Sequence, residues 1–177
     1  LADRTHAVRY LGGDGGSTSL LEFPKRDDFC RLVLDGDRVL VYASARVRET
    51  RPLEAFVLRI EPDGNGAATL AEGPVAGAPD GALCFYGSGF AFAGRTWAPV
   101  ALADGSTALL GLGVREGRVT AENLVPAPGG IYAPLGPSPD GSAFHYLAYD
   151  HERAPGLWRV ARFDGAAVRL SDPVGAP

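Results

Sequence analysis

The densest group of residues able to do chemistry in this chain is Tyr149-Asp150-His151-Glu152-Arg153. Two carboxylates and an imidazole at such spacing can serve as ligands or as a general base. Adjacent side chains on a loop diverge, however, and rarely meet at one atom, so a solvated loop is the preferred reading. A second polar loop, Arg46-Val47-Arg48-Glu49-Thr50-Arg51, is basic and suits an acidic protein partner, against the simpler reading of an exposed connection. Asp150, His151 and Arg153, with Arg46, Arg48 and Arg51, are the candidate binding residues. No catalytic residue, cofactor or metal ligand is assigned. Asp63-Gly64-Asn65-Gly66 starts like a calcium loop but lacks the later acidic positions and the closing Glu. Gly12-Gly13-Asp14-Gly15-Gly16-Ser17-Thr18 is rich in glycine, yet no Lys follows and no helix begins, so it reads as a turn and not a phosphate cradle. His6 and His145 stand alone on strand-like segments. No Gly-x-Ser-x-Gly or other nucleophile motif accompanies them; Gly87-Ser88-Gly89 is too short to be one.

Such residues need elements to hold them, and the composition says which. The 177 residues suffice for one domain with a sizeable core, and 46% hydrophobic content marks a globular chain. With 24 Gly and 14 Pro and no collagen-like period, short strands joined by tight turns are expected. A net charge of -4 without a basic block disfavours nucleic acid, whose phosphates need clustered Lys and Arg. No apolar run reaches the length of a membrane span. Leu1-Ala2-Asp3-Arg4 has no signal-peptide character, and Met is absent even at position 1, so a processed chain or a piece of a longer one is expected. Cys30 and Cys84 are too few and too far apart for a metal pattern. Two buried thiols are the preferred reading, and a disulfide in an exported protein the alternative.

Asp-Gly corners recur along the chain. One set, at Asp14, Asp63, Asp104 and Asp164, sits between an apolar strand and a second strand; another, at Asp35, Asp80 and Asp140, precedes the aromatic strands 38–42, 82–86 and 143–147. The two sets alternate, with spacings of 28 (Asp35 to Asp63), 24 (Asp80 to Asp104) and 24 (Asp140 to Asp164). Paired hairpins in phase make four-stranded units, which favours propeller blades over the rival β-sandwich. The longer step between Asp104 and Asp140 holds an extra piece, in which Arg115-Glu116-Gly117-Arg118 marks one more turn. The expected units are a half blade over 1–28, blades over 29–73, 74–113 and 133–177, and an inserted hairpin or loop over 114–132. Trp97 and Trp158 fall at matching places and are read as packing between blades, with ligand stacking the alternative.

Ser138-Pro139-Asp140-Gly141, Phe144, Tyr146 and Leu157-Trp158-Arg159-Val160 resemble the blade pattern of the TolB-like propeller repeats, relatives of the WD repeats; Ala78-Pro79-Asp80-Gly81 matches in part and Leu34-Asp35-Gly36-Asp37 weakly. The resemblance spans nearly the whole chain but lies at the level of fold. It implies a protein-binding scaffold, an envelope component, or a domain gating a peptidase, and its motif residues are structural.

The expectation is therefore an all-β propeller or partial propeller of about three and a half four-stranded blades, acting as a non-enzymatic scaffold or binding module in a larger assembly. Its partner is expected to be a protein or the remainder of a longer propeller, with assembly through open edge strands. A periplasmic or extracellular location is expected. Two alternatives stand beside it: the propeller of a prolyl-peptidase-like hydrolase whose catalytic residues lie elsewhere, and a carbohydrate- or metal-binding propeller.

Overall fold

A computed structural model describes residues 5–11, 16–24, 29–44, 50–61, 63, 66–127, 130–149, 156–161 and 168–171. Among these the fold is all-β, with fifteen strands and no helix. A first, two-stranded sheet pairs β1 (Thr5–Leu11) with β2 (Ser17–Pro24). A second sheet runs β3 (Phe29–Asp35), β4 (Arg38–Ser44), β5 (Glu54–Ile60), β6 (Ala67–Pro74) as an antiparallel meander. The third has β7 (Ala82–Phe85) and the short β8 (Phe90–Phe92) side by side with β9 (Arg95–Leu102), followed by β10 (Thr107–Arg115) and β11 (Arg118–Pro126). The fourth is again a meander, of β12 (Gly130–Pro137), β13 (Ala143–Tyr149), β14 (Gly156–Ala161) and β15 (Val168–Ser171).

The third sheet departs from the expected boundaries. Its first row is broken in two, because Tyr86-Gly87-Ser88-Gly89 interrupts the strand between β7 and β8; both pieces pair with β9. Gly89 belongs at that break, since a Cβ there would collide with the Trp97 carbonyl and lie 2.9 Å from Val33 Cγ2. The β8–β9 corner is Ala93-Gly94, with both residues at positive φ (55° and 73°), a turn that carries no Asp-Gly signal. Residues 114–126, expected to belong to an inserted piece, form the end of β10 and the whole of β11, the fourth row of this sheet. Asp80-Gly81 leads into β7, and Asp104-Gly105 joins the second and third rows. The even alternation of corners thus holds across the second sheet, where Asp35 ends β3 and Asp63 lies between β5 and β6, but fails across the third. Asp14 and Asp164 lie outside the described residues.

Strand periodicity explains how the sheets layer. Successive side chains point to opposite faces, so a strand buried on both faces needs apolar residues throughout. On β9, Trp97 and Ala101 point one way and Ala98 and Val100 the other, and all four are buried. Val33, Leu40, Tyr42 and Val57 of the second sheet share one core with Phe85, Val100, Leu110 and Val119 of the third. On the opposite face of the third sheet, Phe90, Phe92, Trp97, Leu109 and Val125 meet Phe144 and Tyr146 of the fourth. The third sheet is therefore covered on both sides, by the sheet before it and the sheet after it in the chain.

Hydrogen bonds fasten the second sheet to the third at both margins. The Tyr42 hydroxyl donates to the Gly87 carbonyl at 3.2 Å near the first rows. Beyond β6, Ala76 pairs in parallel with the outer strand β11: its N–H donates to Val119 O and its carbonyl accepts from Ala121 N–H, each at 2.8 Å. No helix of the described residues is long and apolar enough to cross a membrane.

Candidate functional site

The polar group best defined by geometry lies at one end of the third sheet. It arises from a bulge: Gly111 pairs with Asn123 and Leu112 with Ala121, which leaves Glu122 as an extra residue on β11. An unpaired strand residue of this kind is re-aimed by the local bend. Glu122 turns back over Gly113, where any Cβ would collide with its carboxylate. There it lies between two guanidiniums. Arg95 Nε donates to Glu122 Oε2 at 3.1 Å, and Arg115 Nε stands 3.4 Å from Oε1. The Asn123 amide, oriented so that both its groups are satisfied, accepts from Arg95 Nη1 at 2.8 Å and donates to the Glu122 carbonyl at 2.6 Å. Thr120, directly across from Gly113, buries its hydroxyl oxygen without a partner.

Arg95, with Gly94, Thr96, Gly113 and Val114, also borders a small cleft closed on the other side by Asp35 and Arg38 at the β3–β4 corner. Arg115 is largely exposed, while Glu122 is mostly covered. Side chains held together in this way, one carboxylate between two guanidiniums, form a fixed polar surface suited to recognising charge and shape.

The other polar clusters are corners. In Ser138–Ser142 the Asp140 carboxylate accepts from Ser138 Oγ (2.5 Å), from the Ser142 N–H (3.0 Å) and from Ser142 Oγ (2.8 Å), and these bonds hold its pKa down at about 2. Ala143 N–H in turn donates to Ser138 Oγ at 3.0 Å. Asp104 repeats the motif with Ser106, whose hydroxyl and N–H both donate to it, again lowering its pKa. The Ser-Pro-Asp-Gly signature is thus locally satisfied and structural.

Of the residues singled out by sequence, Arg51 is the one described candidate for binding. It is half-buried, and its N–H donates to Leu83 O at 2.7 Å, tying the β4–β5 connection to β7. Arg46, Arg48, Asp150, His151 and Arg153 lie outside the described residues, as do Asn65 and Gly64 beside the exposed Asp63. No group of three potential metal-ligating side chains occurs among the described residues. Trp97 is a packing residue: it is buried, and its indole N–H donates to Phe92 O at 3.2 Å. Cys84 is buried and forms no disulfide. The Arg95–Glu122–Arg115 cluster escaped sequence reading because its members sit on three strands and meet only through a bulge. The Gly111-x-Gly113 spacing on β10 was its one visible trace.

A search of protein-family models finds no match to this chain, and a search of curated proteins finds no relative. The class is accordingly defined by the fold alone: an all-β protein of consecutive antiparallel sheets.

Proposed function

We propose that this chain is a β-propeller-type scaffold, three and a half four-stranded blades in extent, that acts as a protein-binding module in a larger assembly. One observation carries this reading: the third sheet is covered on both faces by sheets adjacent to it in sequence, first row near first row (β3 beside β8) and outer row near outer row (β6 beside β11). Repeat folds built in this way bury their strands against one another and leave loops and row margins as display surface. The Arg95–Glu122–Arg115 cluster, at such a margin, is the recognition surface we assign to a protein partner. The test is photo-cross-linking of the full-length protein in its source cells, with a photoreactive residue replacing Arg115. A scaffold yields one discrete protein adduct at that position. Turnover of prolyl peptides by the purified full-length protein, or tight saturable binding of calcium or a glycan with no protein adduct, would overturn the assignment.

A further inference from the structure

The cleft between the second and third sheets has an apolar floor and a charged rim. Leu40 and Val57 of the second sheet and Leu112 of the third line its floor; all three are buried and belong to the core that the two sheets share. The charged residues that line it are Asp35, Arg38 and Arg95. Its volume is about 40 Å³, against roughly 10–15 Å³ for a single water. The cleft therefore takes the end of one side chain and is too small for a sugar ring.

The rim carries donors that the fold does not use. Arg95 gives its Nε to Glu122 and its Nη1 to Asn123, while its Nη2 has no protein partner among the described residues. The Arg95 side chain is 34% exposed. Arg38 is exposed, and among the described residues its guanidinium makes neither a hydrogen bond nor an ion pair. It stands directly across from Arg59 on β5, which is unpaired in the same way. Like charges directly opposite on a sheet destabilise it, and an anion set beside them offsets the repulsion. Asp35 does not fill that place: it is the Cα partner of Arg38 across the corner, yet the two make no ion pair.

We propose that this cleft receives the carboxylate of an Asp or Glu side chain from a protein partner, with Arg38 as the principal donor and Arg95 Nη2 as the second. The planar fork of a guanidinium matches a carboxylate in shape and spacing. The methylenes of the entering side chain lie against the apolar floor while its head meets the rim. Asp35 sets the charge that is accepted. Two guanidiniums and one carboxylate suit a monoanion, whereas the extra charge of a phosphate meets repulsion from Asp35. The inference rests on the partner-binding reading of the adjoining Arg95–Glu122–Arg115 cluster and names the group that the partner supplies.

The test has two arms. In the first, the purified full-length protein is titrated at neutral pH with N-acetylglutamate methylamide, its glutamine counterpart and inorganic phosphate, and the arginine Nε–Hε signals are followed by NMR. The glutamate compound is expected to shift the Arg38 and Arg95 signals saturably, and the other two to bind at least tenfold more weakly. Arg38→Gln should cost the glutamate compound at least tenfold in affinity, and Asp35→Asn should strengthen phosphate binding at least threefold. Arg118→Gln, exposed and outside the cleft lining, should change neither. In the second arm, the photo-cross-link from position 115 in the source cells is repeated with Arg38→Gln, which should cut the adduct at least tenfold. Arginine signals unmoved by the glutamate compound, or phosphate binding more tightly than it, would overturn the inference. An adduct undiminished by Arg38→Gln would also overturn it, while the scaffold reading stands. If no adduct forms even with Arg38 intact, the scaffold reading fails and this inference falls with it.

Discussion

Phe90 of the third sheet stacks on Phe144 of the fourth with ring centroids 3.9 Å apart and planes 6° from parallel. Phe92 tilts against the same ring at 5.5 Å. This aromatic seam joins the two sheets, since Tyr146 is the other described fourth-sheet residue in that core. Phe144→Ala is expected to cost about 3–5 kcal/mol in denaturant unfolding, the usual range for a buried Phe. Exchange protection in β13 and β14 should fall while that of β4 and β5 is retained. A uniform loss across all sheets would mean that the fold does not unfasten at this seam.

Two buried tyrosines should respond oppositely to loss of their hydroxyls. Tyr42 OH is bonded to Gly87 O, so Tyr42→Phe should destabilise by about 1 kcal/mol. Tyr146 OH is buried with no partner, so Tyr146→Phe should be neutral or stabilise by up to about 1 kcal/mol. Paired urea titrations decide; a costly Tyr146→Phe would show that the hydroxyl is bonded.

Alkaline unfolding should follow from the same region. Burial pushes Tyr86 up to about 12, a hydrogen bond with Thr107 working against it, and burial raises Tyr146 as well, with Tyr86 nearby adding to the rise. A pKa raised in the folded state stabilises fully below the unfolded value of about 10 and loses that contribution as pH climbs through the folded value. Absorbance at 295 nm should therefore show these phenols ionising late, together with loss of strand circular dichroism. Early ionisation without unfolding would refute their burial.

At the acid end, Asp140 should titrate near 2 by NMR. The depressed value means its contribution is present above the ordinary carboxylate pKa and fades as pH falls toward 2. Ser138→Ala removes the leading hydrogen bond and should move the midpoint up toward the ordinary value. An unchanged midpoint would remove Ser138 from the account.

Gly113→Ala should displace the Glu122 carboxylate, at a cost of about 1–3 kcal/mol, because the crowding group is held by Arg95 and cannot swing away freely. In an Arg95→Met background the same substitution should cost less. Equal costs in the two backgrounds would separate Gly113 from the ion cluster.

Much of the local structure was legible in the chain. Asp35-Gly36 and Asp140-Gly141 mark real corners, with Gly36 and Gly141 at φ of 61° and 66°, because tight reversals demand a backbone that glycine adopts without strain. The run 38–42 reads as an apolar strand, and a strand was expected before the Asp104 corner; the structure has β4 and β9 there. The row order of the third sheet was not legible. Ala93-Gly94 makes a hairpin with no strong turn signature, and β8 is three residues long, so the phase drawn from Asp-Gly pairs slipped there. Glu122 between Arg95 and Arg115 depends on one bulged residue, and a bulge is set by how two strands settle against each other. Nor could sequence distinguish the exposed Leu32 and Leu34 from the buried Val39 and Val41, which are equally apolar. Local chemistry determines where this chain extends and where it turns; which faces are closed and which charges meet is decided only when the sheets stack, because each depends on the neighbour that arrives.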